Sequence, residues 1–193
     1  PYMPEDMFKF VTERDEHLSE NEVKGLFRTM VDSLRYCHSQ GICHRDVSLE
    51  NFLIRFAATR NKAGVEIVRP EPVLIDFGLC ALMEPASNND RRWAFIKHTG
   101  SVGKTGYMAP EVYHERSGGA DYDGMASDVW SLGVCLFSML FRAPPWKTPS
   151  RSDQHFNYLV TNHGVDTWVK TYGRDGISAE VIHLMQSIFQ EEP

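Results

Sequence analysis

Between Ser19 and Gln40 apolar residues return every three or four positions. Val23, Leu26, Phe27, Met30, Val31 and Leu34 fall on one side, and Lys24, Arg28, Asp32 and Arg35 on the other. This spacing predicts an amphipathic helix over 19–40. Ser19 with Glu22 three places on forms a capping box, and Gly41 is a suitable stop. Such a helix is about 30 Å long and carries one apolar stripe that must find a partner. The period then changes. "NFLIRF" (51–56), "VEIV" (65–68) and "VLID" (73–76) are short β-branched or aromatic runs, with "NKAG" (61–64) as a turn, so a small β-hairpin region is expected rather than a large sheet. Residues 80–106 show no period, and a loop of that length in a compact domain is usually functional or mobile. "SDVWSLGVCLFSMLF" (127–141) is apolar on nearly every face, as a buried central helix would be, and "APPW" stops it. A shorter helical pattern covers 153–163. In "SAEVIHLMQSIFQ" (178–190), Val181, Ile182, Leu184, Met185, Ile188 and Phe189 predict a last helix. There is no internal repeat, low-complexity tract or interdomain linker.

At 193 residues the chain makes one domain, of α+β class and mainly helical. A net charge of −6 without a Lys/Arg-rich block argues against a nucleic-acid surface. Cys37, Cys43, Cys80 and Cys135 are scattered and form no C-x-x-C pair, which fits buried thiols in a reducing, intracellular and cytoplasmic setting. No signal peptide is visible. The longest apolar run, Val129 to Phe141, is shorter than the roughly 20 residues of a membrane span, so none is expected.

The chemistry concentrates in "CHRDVSLEN" (43–51), where Asp46 precedes Asn51 by five positions. Taken alone these are as readily the cap and turn residues of a loop as a pair acting on a phosphate and its metal. Their weight comes from three motifs that stand in order further along the chain: "DFG" at Asp76, Phe77 and Gly78, "APE" at Ala109, Pro110 and Glu111, and "DVWSLG" from Asp128.

This ordered set resembles the C-terminal lobe of eukaryotic protein kinases, and the resemblance covers nearly the whole chain. Residues 1–193 then correspond to a partial kinase domain, from the segment after the hinge to the penultimate helices, with the N-lobe absent and the activation segment at 76–111. The resemblance implies transfer of the ATP γ-phosphate to Ser/Thr hydroxyls of protein substrates, with ATP and Mg2+ as cofactors. It makes Asp46 the base, and Asn51 and Asp76 the magnesium ligands, as oxygen donors suited to a hard cation. Arg45 would pair with a phosphate on the activation segment, with Thr99, Ser101 and Thr105 as candidate acceptors and Ser87 a weaker one. His44 would have a packing and hydrogen-bonding role, Phe77 would pack inward, and Gly78 would free the backbone. Asp128 would cap the buried helix, hold the backbone of the catalytic loop, or both. Tyr107 and Met108 precede "APE" in a strip resembling the one that faces a peptide.

Several positions depart from the pattern. Ser48 stands where serine/threonine kinases usually carry a lysine that contacts the transferred phosphate. Lys104 stands in place of a threonine that usually hydrogen-bonds the catalytic aspartate. Asn51 and Asp76 lie 25 positions apart, longer than the family norm, so residues 57–70 are expected to lengthen the hairpin. The family pairs Glu111 with an arginine beyond Pro193, and its glycine-rich loop and strand lysine have no counterpart here. These gaps point to a fragment of a longer kinase, and they leave open an alternative: a catalytically inactive, pseudokinase-like lobe acting as a protein-binding module.

Overall fold

A computed structural model describes residues 5–60, 64–85, 93–96, 101–113, 121–172 and 176–191. Helices dominate it: α1 (Met7–Thr12), α2 (Glu20–Ser39), α3 (Pro110–Tyr113), α4 (Gly124–Phe141), α5 (Gln154–Phe156), α6 (Val165–Tyr172) and α7 (Ala179–Ile188). Two antiparallel two-stranded sheets complete it, β1 (Ile42–Cys43) with β4 (Ala81–Leu82), and β2 (Phe52–Arg60) with β3 (Glu66–Leu74).

Helix α2 follows its periodicity. Ser19 and Glu22 form the reciprocal capping box, and Gly41 takes a positive φ of 70° just past the end. Its stripe of Val23, Leu26, Met30 and Leu34 is buried against the central helix α4 and strand β3. Helix α4 is enclosed on almost all sides. Its 18 residues would suffice in length and composition for a membrane span, but 78% of them are buried inside the fold. In its second turn Trp130 joins Trp146, Phe156 and Phe189 in a group of rings with centroids 5.0 to 6.2 Å apart. This group ties α4 to α5 and α7 through large apolar surfaces.

Four sequence expectations change. Helix α4 begins at Gly124 rather than Ser127, because Asp123 takes the cap and accepts the amides of Met125 and Ala126. Asp128 therefore lies inside the helix, not at its start. "VEIV" and "VLID" are not separate strands: β3 runs from Glu66 to Leu74 straight through Pro70 and Pro72, which a two-stranded sheet tolerates because each strand keeps one free edge. The 153–163 pattern yields only the short α5 and then a π turn at Asn157–Thr161. The 80–106 stretch is not wholly irregular, since β4 and the bridges Pro85–Trp93 and Ile96–Tyr122 stitch parts of it to the body. Helix α6 is an addition to the expected elements, with Val165, Trp168, Val169 and Tyr172 at helical spacing. The hairpin extension is present: Ala57 pairs with Arg69 and Ala58 with Val68 in one continuous register.

Close packing of α4 on α7 is testable at Gly133, where an added Cβ would lie 2.5 Å from Cγ2 of Ile188. Gly133→Ala should lower stability by about 1–3 kcal/mol, read as a reduced urea midpoint at unchanged slope.

Candidate active site

The site is assembled on α4. The Asp128 carboxylate is 1% exposed and accepts the backbone amides of His44 and Arg45, each at 2.8 Å, as well as Nε2 of His38 at 2.9 Å. Two successive amides on one carboxylate fix the direction of the chain as it enters 46–51. Arg45 is held at φ 66°, a left-handed conformation that costs a non-glycine residue about 1 kcal/mol or more. Asp128 thus clamps the loop and caps nothing. His38, Cys43 and Asp128 bring a ring nitrogen, a thiol and a carboxylate within 4.8 Å of one another. This does not make a metal centre. Both Asp128 oxygens are taken by amides, and burial, aided by the Asp128 charge, pushes the Cys43 thiol up to about 12, which disfavours the thiolate that a metal takes.

Asp46 and Asn51 meet directly. The Asn51 amide NH2 donates to the Asp46 carbonyl at 2.7 Å and to its Oδ2 at 2.8 Å. That spends the nitrogen and turns the amide oxygen away from Asp46. A short 3-10 turn at Leu49–Asn51 places Asn51 at the foot of β2. The ladder then does the long-range work, for Ile75 donates its amide to the Asn51 carbonyl at 2.9 Å. Asp76 comes next, on the same edge of the hairpin, and is exposed. Its φ of 61° is also left-handed, and its Oδ1 accepts the Gly78 amide at 3.2 Å. Among the described residues, neither the Asn51 amide oxygen nor Asp76 Oδ2 has a hydrogen-bond donor. Both are hard oxygen donors of the kind that magnesium takes.

His44 is fully buried. Its Nε2 lies 2.9 Å from the Ile75 carbonyl, and its ring meets Phe77 edge to face at 4.9 Å. The histidine is thus the strut between the two motifs. Phe77 itself does not pack inward. It is 43% exposed, because the 3-10 turn it opens at 77–79 has no buried residue and carries the ring onto His44 with one side uncovered.

The segment after residue 100 closes over the loop. Gly103 has φ 100°, and an added Cβ would sit 2.6 Å from the Arg45 carbonyl oxygen. Lys104 donates its backbone amide to Asp46 Oδ1 at 3.2 Å, and its Nζ reaches the buried Ser48 hydroxyl at 2.7 Å. The exposed Ser101 donates to the Val112 carbonyl at 3.2 Å, and Thr105 is exposed. Thr99 and Ser87 lie outside the described residues. Arg45 Nε is buried without a hydrogen-bond partner among the described residues. Sequence reasoning passes over His38, whose signal is its place in the last turn of α2, one step before the loop.

Glu111 opens α3. No described cation pairs with it, and burial, reinforced by the charge of Asp123, raises its pKa.

A family profile described as "Protein kinase domain" matches residues 1–193. Curated relatives include "Abscisic acid-inducible protein kinase" of Triticum aestivum, 33% identical over 91% of this chain and 45% of that protein. "Serine/threonine-protein kinase SAPK2" of Oryza sativa subsp. japonica is 33% identical over 91% of the chain and 44% of the relative. "Serine/threonine-protein kinase PRR2" of Saccharomyces cerevisiae is 30% identical over 86% and 21%. The chain thus spans less than half the length of these relatives.

The raised pKa of Glu111 carries a pH signature. Folding disfavours its ionised form, so the penalty is absent in acid, grows as pH rises through the ordinary glutamate range, and is complete above the raised folded value. In the 193-residue chain, Glu111→Gln should therefore raise the melting temperature at pH 7 and leave it nearly unchanged at about pH 4.

Proposed function

The chain belongs to the protein kinase family, and we propose that it forms the catalytic lobe of a serine/threonine kinase that transfers the γ-phosphate of ATP to protein hydroxyls. The observation that supports this most is the hydrogen-bonded run from Asp46 through Asn51 to Ile75, adjoining Asp76. In this reading the run links the base at position 46 to the oxygen donors at positions 51 and 76.

In this reading Asp46 accepts the proton of the attacking hydroxyl, with Oδ2 oriented by Asn51 and Oδ1 by the Lys104 amide. Asn51 and Asp76 hold magnesium, which when bound neutralises charge on the phosphates. His44, Asp128, Gly78 and the Phe77 ring position these groups. The 76–111 segment serves as the activation segment. The orphaned Arg45 Nε suits a phosphate on it, carried by Thr99, Ser101 or Thr105. The four unpaired thiols, three buried as expected and Cys80 exposed contrary to expectation, agree with a cytoplasmic setting.

A second reading, an inactive lobe that docks a protein partner, draws support from the exposed apolar side chains of Phe77, Leu79 and Leu82 beside the site. The discriminating experiment is labelled-phosphate transfer by the full-length protein. Asp46→Asn should lower kcat at least 100-fold while leaving Mg·ATP affinity within about threefold. Asp76→Ala should instead raise the magnesium concentration needed for half-maximal rate. Wild-type transfer no faster than Asp46→Asn rules out the kinase reading and favours the docking one.

A further inference from the structure

We propose that the Lys104 ammonium is a catalytic residue, supplying from the activation segment the positive charge that the 46–51 loop lacks, with Ser48 and Glu50 holding it in place. The inference rests on the kinase reading above.

Residues 46–51 contain no cation, and their buried Ser48 offers only a hydroxyl. Among the described residues, Lys104 is the cationic residue that contacts the side chains of this loop, and it does so three times. Its amide binds Asp46 Oδ1 at 3.2 Å. Its Nζ donates to Ser48 Oγ at 2.7 Å. The same nitrogen lies 3.8 Å from Glu50 Oε2, a buried oxygen with no hydrogen-bond partner. The 2.6 Å clearance at Gly103 leaves no space for a side chain there, so residue 104 is pressed against the loop by its backbone. An ammonium held by Ser48 and Glu50, two residues of the loop that carries Asp46, is preorganised beside the base. At 38% exposed, its side chain is still open to a ligand. Preorganised charge of this kind is worth most where negative charge builds up.

In the transfer, the hydroxyl oxygen bonds to the γ-phosphorus as the bond to the bridging oxygen of ADP breaks. ADP leaves with that electron pair, and the hydroxyl proton passes to Asp46. Lys104 contacts the oxygens of the moving phosphoryl group and stays protonated throughout. A consequence is that closure of the 101–105 segment on the loop and completion of the catalytic charge are one event.

The test uses the full-length protein with Lys104→Met, Lys104→Arg and the exchange variant Ser48→Lys/Lys104→Thr. Two readouts are taken: steady-state kinetics, and the acylation rate of the Lys104 amine mapped by mass spectrometry with and without Mg·ATP. Lys104→Met is expected to lower kcat about 100-fold with the KM for ATP within threefold, and Lys104→Arg, which keeps the charge, to lose less. The exchange variant should recover at least tenfold over Lys104→Met, and Mg·ATP should slow acylation at Lys104 at least fivefold. Retention of kcat within threefold in Lys104→Met overturns the proposal, as does a lowered melting temperature whose restoration restores kcat without the charge. If wild-type transfer does not exceed that of Asp46→Asn, the kinase reading falls, and acylation then decides for Lys104. Protection by Mg·ATP sustains its contact with phosphate, and no protection overturns it.

Discussion

The working geometry of this protein hangs on one carboxylate. Asp128 is buried within α4, a helix enclosed on almost all sides, and its charge is balanced by two main-chain amides and an imidazole. A buried anion tolerates its desolvation only when such donors surround it. Because the amides belong to His44 and Arg45, the loop that carries Asp46 is referenced to α4 rather than to its own flexible neighbours. The left-handed Arg45 is a strain that this anchor sustains. From that point the order spreads outward: His44 to Ile75 and Phe77, Asn51 to Asp46, and Gly103 and Lys104 down onto the loop.

Elements are legible in the sequence wherever one face alone is buried. Helix α2 reads cleanly because its capping box and apolar stripe agree, and α7 reads from its apolar spacing. Helix α4, buried all round, has no stripe to mark its start. Asp123 and Asp128 are the same residue type five places apart, and only the burial of the second excludes it as the cap. The prolines of β3 suggest a break that a free strand edge makes unnecessary. Phe77 is expected inside because an aromatic in a signature motif usually is, yet its exposure depends on what other chain segments cover.

The site is legible as a list of residues and much less so as a set of contacts. Ser48 and Lys104 stand out separately, as two irregularities 56 positions apart in the chain. Nothing in local spacing joins them, since their meeting depends on the path of the segment between, including residues without periodicity. The same is true of the amide of Lys104, which hydrogen-bonds Asp46 at the position where the family pattern has a threonine. Main-chain groups carry no signature in a sequence, so substitutions of this kind are invisible until the backbone is traced.

The β2–β3 hairpin separates Asn51 from Asp76 by a long excursion and yet returns them to neighbouring rungs. In an antiparallel ladder, residues added in matched pairs raise the tip and leave the foot unmoved. The span between the two oxygen donors is therefore independent of how much chain lies between them. Lineages are at liberty to lengthen, trim or redecorate this arm without moving Asn51 relative to Asp76.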